Sequence, residues 1–367
     1  MFTRTCALLA VVALSASAAH AGVQSGLQKG DPDVKSAGAL AFGPDGVLFI
    51  GDSTSAAVFA VDTGDKSGPS AKAPVNVEGI DQKVAALLGT TAREVQINDL
   101  AVNPASGNVY LSVSRGRGPE ALPVVVRVDA GGKLSEVSLK DVPFAKAELP
   151  NAPAPGAASR GESKRSQSIT DLLYVDGKVF IAGLSNEEFE STLRSIPFPF
   201  SKADKGTGVK IYHGAHGRFE TQSPVRTFTH YKIDGQPFLL AGYTCTPLVK
   251  FPVSDLKPGV QLQGVTVAEL GNRNRPLDMF VYSKGGKDYI LMANSSRGMM
   301  KVTTENLAAA PGLTDKDGRV ADTAGLSYET IEGMKGVVQL DKLDDQKAVI
   351  IVQEESGRQD LKTVELP

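Results

Sequence analysis

The chain has 367 residues, 41% hydrophobic and 22% charged, with a formal net charge of −2. That balance allows a sizeable buried core and offers no electrostatic case for nucleic acid or an anionic membrane surface. With 38 glycines and 21 prolines the chain is rich in turn formers, which favours an all-β fold over a helical one.

Residues 1–21 read as a secretory signal peptide. Arg4 gives the positive start, Ala7 to Leu14 the apolar core, and Ala19-His20-Ala21 the small-residue cleavage site. Cleavage before Gly22 removes Cys6 and leaves a periplasmic or secreted chain, with residues 22–367 as a single domain. Cys245 is then the sole thiol, so no internal disulfide forms. No later run reaches the roughly 18 apolar residues of a membrane span.

Six β-hairpins follow one another. The first is Gly38–Phe42, the turn Gly43-Pro44-Asp45-Gly46, and Val47–Asp52, with a third strand at Ala57–Val61. A short helix is expected over Asp81–Leu88, capped by Asp81. The second hairpin is the clearest: Ile97–Val102, a turn through Asn103-Pro104 and Ser106-Gly107, then Val109–Val113. Further strands are expected near Val124–Val128 and Leu134–Leu139. Residues 145–167, rich in Ala, Pro, Ser and basic residues without periodicity, read as a long mobile surface loop. The later hairpins turn at Asp176-Gly177, Asp234-Gly235 and Gly285-Gly286, and the last pairs Gly336–Leu340 with Ala348–Gln353 before a final strand at Leu361–Leu366. Six such units predict a six-bladed β-propeller. The sixth has only three strands of its own, so the N-terminal lead Val23–Gln28 is expected to close the ring by joining the last blade.

Propeller topology brings the starts of the inner strands and the loops from second to third strand to one face around the channel. The strand starts contribute Asn98, Asp99, Asp171, Arg275 and Asp278 to a polar channel mouth. The loops contribute Asp52, Arg115, Glu187, Tyr243 and Cys245, and further on Asn294, Arg297 and Glu354. Carboxylate and amide oxygens suit Ca²⁺ or another divalent cation, whereas capping of strand-start N–H groups is the structural alternative for the aspartates. His213 and His216, separated by Gly214 and Ala215, read as a solvated outer turn. Asn186–Glu190 with Ile196–Phe200 offers either a partner-docking rim or an outer strand with an apolar side. Cys245 beside Tyr243 permits a redox role or a soft-metal ligand.

Asn98-Asp99-Leu100-Ala101-Val102-Asn103-Pro104 with Gly107-Asn108-Val109-Tyr110, and Phe42-Gly43-Pro44-Asp45-Gly46-Val47-Leu48-Phe49-Ile50-Gly51-Asp52, resemble blade signatures of the NHL/SMP-30 (gluconolactonase-type) six-bladed propellers. The resemblance implies a divalent-metal hydrolase acting on lactones or esters, with Asn98, Asp171 and Asp278 as metal ligands and Asp171 or Asp278 as the catalytic base. The glutamate that those enzymes carry in the first blade has no counterpart in Gly38-Ala39-Leu40-Ala41-Phe42. Three readings therefore stand: a binding or interaction module for an unknown small molecule or protein, a metal hydrolase, and a redox accessory built on Cys245.

Overall fold

The hairpins form where alternating apolar runs meet turns that demand a left-handed backbone. At Asp176-Gly177 the φ values are 50° and 76°, and at Asp234-Gly235 they are 49° and 77°. Positive φ at both central residues is the type I′ geometry that matches strand twist, and Asp-Gly tolerates it best. The computed structural model describes residues 26–69, 72–159, 161–245 and 247–367. The expected signal peptide lies outside these residues, as does the first half of the expected N-terminal closing strand Val23–Gln28.

Six blades surround a channel. Their inner strands, in chain order, are Leu40–Phe42, Val95–Val102, Asp171–Val175, Val225–Ile233, Pro276–Lys284 and Val337–Lys342. The order around the ring is different: first, third, fourth, fifth, sixth, second, and back to first. Shared cores set this order. Phe49 and Val58 of the first blade pack with Leu172, Ile181 and Phe198 of the third, while Ile50 and Phe59 pack with Tyr110 and Val125 of the second. On its other side the second blade buries Leu111 and Val126 against Val349 and Ile351 of the sixth.

The second blade is inserted by two strand exchanges. After Ala57–Asp62, the third strand of the first blade, the chain crosses to the outer edge of the sixth blade. There Val77 exchanges backbone hydrogen bonds with Leu361 (2.8 and 2.9 Å), and Thr363 Oγ1 donates to Val75 O (2.9 Å). The helix Ile80–Leu87 follows, and the chain enters the second blade. It then returns as Val142–Glu148 to supply the fourth strand of the first blade. Gln28–Gly30 pairs outside that strand, with Gln28 opposite Phe144.

The closure thus differs from the expected one. The last blade is completed by residues 75–77, and the N-terminal strand lies on the first blade. Residues 145–148, expected as loop, are strand because the first blade lacks a fourth strand of its own. The rest of the expected mobile loop is fastened by Arg165, whose guanidinium donates to the carbonyls of Ser53, Thr54 and Pro153 (2.9–3.2 Å). The helix starts at Gly79, held in the left-handed region with its N–H on Asp360 Oδ1 (2.8 Å), so Asp81 is not the cap. Asp81 instead accepts from Gln359 N (3.1 Å).

The ring depends on this exchanged strand. Val77→Pro removes the N–H that Leu361 O accepts and is expected to cost roughly 3 kcal/mol. An unchanged urea midpoint in that variant would show that residues 75–77 do not hold the ring.

Candidate functional site

Each inner strand alternates side chains between blade interfaces and the channel. Leu40, Leu100, Leu172, Phe228, Met279 and Leu340 are all buried to within 5% exposure, so their neighbours face the channel. Three of those neighbours are Asp99, Asp171 and Asp278, which line both channel cavities and form its waist. Asp341 stands two residues further along the sixth inner strand and lines one cavity alone, with Lys72 and Lys342 nearby.

The four aspartates share one bonding scheme. One carboxylate oxygen accepts from the N–H of the following residue: Leu100, Leu172, Met279 and Lys342 (2.6–2.8 Å). The other accepts from the inner strand of the next blade. Asp99 reaches Leu40 N (2.7 Å), Asp171 Phe228 N (2.8 Å), Asp278 Leu340 N (2.9 Å) and Asp341 Val102 N (2.7 Å). Four of the six joints are therefore pinned by a carboxylate.

Burial pushes all four carboxyls up. Asp171 rises to about 7 and Asp341 to about 6, against an ordinary value of 3.8, in spite of the backbone N–H groups that favour their charged forms. Asp99 and Asp278 rise well above the usual range through burial and the negative charge of neighbouring members of the ring. The waist carboxyls thus hold their protons to higher pH than free aspartates do.

The mouth above the waist is a cavity of about 680 Å³. β-Bulges shape it. Pairing skips Asn98, Arg226, Leu277 and Val338, one residue at the start of the inner strand in four blades. A bulge re-aims the extra side chain, and Asn98, Arg226 and Leu277 all line the mouth. Asn98 Nδ2 donates to Ala37 O (2.8 Å) and Ser114 Oγ (2.9 Å). Arg226 is 15% exposed, and its Nε donates to Thr244 Oγ1 (3.0 Å). Burial and the charge of Arg275 hold its guanidinium down to about 10. Glu162 approaches both arginines loosely, at 3.9 and 3.7 Å.

Of the residues expected at the mouth, Asn98, Asp99, Asp171, Arg275 and Asp278 converge there. The others do not. Asp52 is fully buried, accepting from Lys35 N, Ser36 N, Ser36 Oγ and Ser55 N (2.7–3.1 Å). Arg115 is exposed at a strand end. Glu187 pairs with Lys205 (3.3 Å) on the outer side of the third blade. Tyr243 is wholly buried in the core of the middle blades. Asn294, Arg297 and Glu354 line a separate cavity between the fifth and sixth blades. Cys245 lies beside His213 and His216, and His213 is 2% exposed rather than solvated. Phe198 is no docking rim, because it packs edge-on against Phe49 with centroids 4.9 Å apart. Arg226, Gln339 and Asp341 were not expected. Arg226 stands at the bulge position that Asn98 occupies in the second blade, which is the signal that finds it.

The metal site implied by the family resemblance does not fit these residues. Asp171 and Asp278 commit both oxygens to backbone N–H groups, and the glutamate is missing from the first blade. Among the described residues, no three channel carboxylates come within 4.8 Å of one another.

No protein-family model and no curated protein matches the chain. Solved structures similar to it include a putative oxidoreductase (glucose dehydrogenase) from Thermus thermophilus, 13% identical, covering 92% of this chain and 100% of that one, with a TM-score of 0.34. The PQQ-bound aldose sugar dehydrogenase of Streptomyces coelicolor is 12% identical over 92% and 96% of the two chains, with a TM-score of 0.33. The GH43 endo-arabinanase of Bacillus licheniformis is 12% identical over 74% and 94%, with a TM-score of 0.36. Likenesses this low carry no argument about activity. Among the described residues, no helix is long and apolar enough to cross a membrane.

The raised carboxyls set a pH dependence. The folded chain holds protons that the unfolded chain releases above about pH 4, so stability falls as pH rises from about 4 to about 7 and then levels. Urea unfolding at pH 5 and pH 8 is expected to give the lower midpoint at pH 8. A higher midpoint at pH 8 would contradict protonated waist carboxyls.

Proposed function

We propose that the chain is an exported binding module that takes a small anionic, hydroxyl-bearing molecule at the channel mouth. The observation that carries this reading is the Arg226–Arg275 pair. Two guanidiniums at one mouth, the charge of Arg275 lowering Arg226 and a loosely placed Glu162 near both, leave donors for a carboxylate or phosphate. Thr170, Thr227, Ser114 and Gln339 line the same cavity and suit hydroxyl groups. The raised waist carboxyls carry less negative charge than free aspartates, which lessens their repulsion of the anion. The aspartates serve in this reading as blade clamps, and a hydrolytic role for Asp171 or Asp278 has no free carboxylate to carry it.

Thermal unfolding with gluconate, glucose 6-phosphate or glucose as probe tests the reading. At least one anionic probe is expected to raise the melting temperature by about 2 °C or more, glucose not at all. Arg226→Gln with Arg275→Gln is expected to remove the shift. Equal shifts with glucose, no shift with either anion, or a shift that survives the double substitution would overturn it.

A further inference from the structure

Outside the channel, between the third and fourth blades, three metal-binding side chains meet. His213 ends the strand Thr207–His213, and the tight turn Gly214–His216 brings His216 back over it, with ring centroids 3.9 Å apart. Cys245 comes from the fourth blade, in the loop between Gln236–Tyr243 and Pro247–Pro252. It has φ 63°, and its N–H is fixed on Asn274 O (2.8 Å). One ring nitrogen of each histidine and the Cys245 Sγ lie within 4.8 Å of one another.

A single carboxylate orders both rings. Glu220 is 4% exposed, and its Oε2 and Oε1 lie 2.9 Å from His213 Nδ1 and 2.8 Å from His216 Nδ1. Ser223 Oγ and Arg218 Nε donate to the same carboxylate (2.6 and 3.2 Å), so four donors converge on its two oxygens. An ionised carboxylate only accepts, so each Nδ1 carries the hydrogen and each Nε2 presents a lone pair. For His213 that lone pair is buried and, among the described residues, has no hydrogen-bond partner, in a residue 2% exposed. A buried acceptor left unmet costs free energy. Outer carboxylates that fix histidine tautomers are the usual support of metal-ligating imidazoles.

We propose that His213, His216 and Cys245 bind one first-row transition-metal ion of borderline softness, of the zinc or copper class, with Glu220 as their shared outer carboxylate. Two imidazoles and a thiolate select such an ion over Ca²⁺ or Mg²⁺. The ion satisfies the His213 lone pair, deprotonates Cys245 and links the third blade to the fourth. His216 and Cys245 are the partly exposed ligands and give the ion its entry path.

The test uses the full chain, stripped with chelator, kept reduced, and titrated with Co²⁺ and then Zn²⁺. One equivalent of Co²⁺ is expected to give visible d–d bands and a near-ultraviolet thiolate-to-cobalt band that Zn²⁺ abolishes. Cys245→Ser is expected to lose the thiolate band and His216→Gln to weaken Zn²⁺ binding at least 100-fold. Glu220→Gln is expected to weaken it about 10–100-fold. Circular dichroism of each variant separates loss of the site from loss of the fold, and His216, the most exposed ligand, provides the variant that keeps its fold. No uptake, a spectrum without the thiolate band, or binding unchanged in Cys245→Ser and His216→Gln would overturn the proposal. Binding lost only on replacing Asp171 and Asp278 would overturn it as well, by moving the ion to the channel.

Discussion

The ring is held by carboxylates that bridge one inner strand to the next. A propeller blade twists away from its neighbour, so inner strands diverge and their backbone groups near the axis have no sheet partner. Asp99, Asp171, Asp278 and Asp341 supply one, each joining its own strand to the next blade through two N–H groups. The arrangement puts four acids around a narrow channel, and burial with mutual repulsion raises their carboxyls above the ordinary aspartate range. Joining the blades and forming a low-charge channel floor are two results of the same residues.

The propeller itself was legible because each hairpin is local: the strands are adjacent in sequence and the turn residues announce them. The sixfold count, the strand positions and the all-β class followed from that. Ring order was not legible. Residues 75–77 are too short and too polar on one side to read as a strand, and Val142–Glu148 alternates weakly because Ala147 is its one fully buried residue. Their partners lie far along the chain, so no local pattern records which blade each completes. The strand exchange places the second blade between the first and the sixth, and a reading that follows chain order cannot see it.

The site was legible where a side chain's direction follows from strand alternation. Asp99, Asp171 and Asp278 line the channel for that reason. It failed where loops decide direction. Asp52 turns inward to organise Lys35, Ser36 and Ser55, and Tyr243 points into the core although it adjoins a loop. Bulges were a third cause. A one-residue skip sends Arg226 to the mouth against simple alternation, and nothing in Val225-Arg226-Thr227 marks it apart from its correspondence to Asn98.

The two joints without an aspartate clamp explain where other chemistry gathers. At the joint of the first and third blades, Phe49, Tyr174, Phe198 and Phe200 form an aromatic cluster that replaces the carboxylate with packing. The fourth blade carries Thr227 in place of an aspartate, and its joint to the fifth relies on Tyr231 Oη donating to Asp288 (3.0 Å) and on Cys245 N donating to Asn274 O. The Cys245 loop is thus already a structural link on one side. A metal ion joining it to His213 and His216 would extend that link to the third blade and stiffen the ring beside a carboxylate-free joint. Because Thr244 also receives the Arg226 guanidinium, the same loop sets the position of an arginine at the mouth. Fixing the loop therefore fixes Arg226, which would tie the proposed clasp between blades to the proposed anion site.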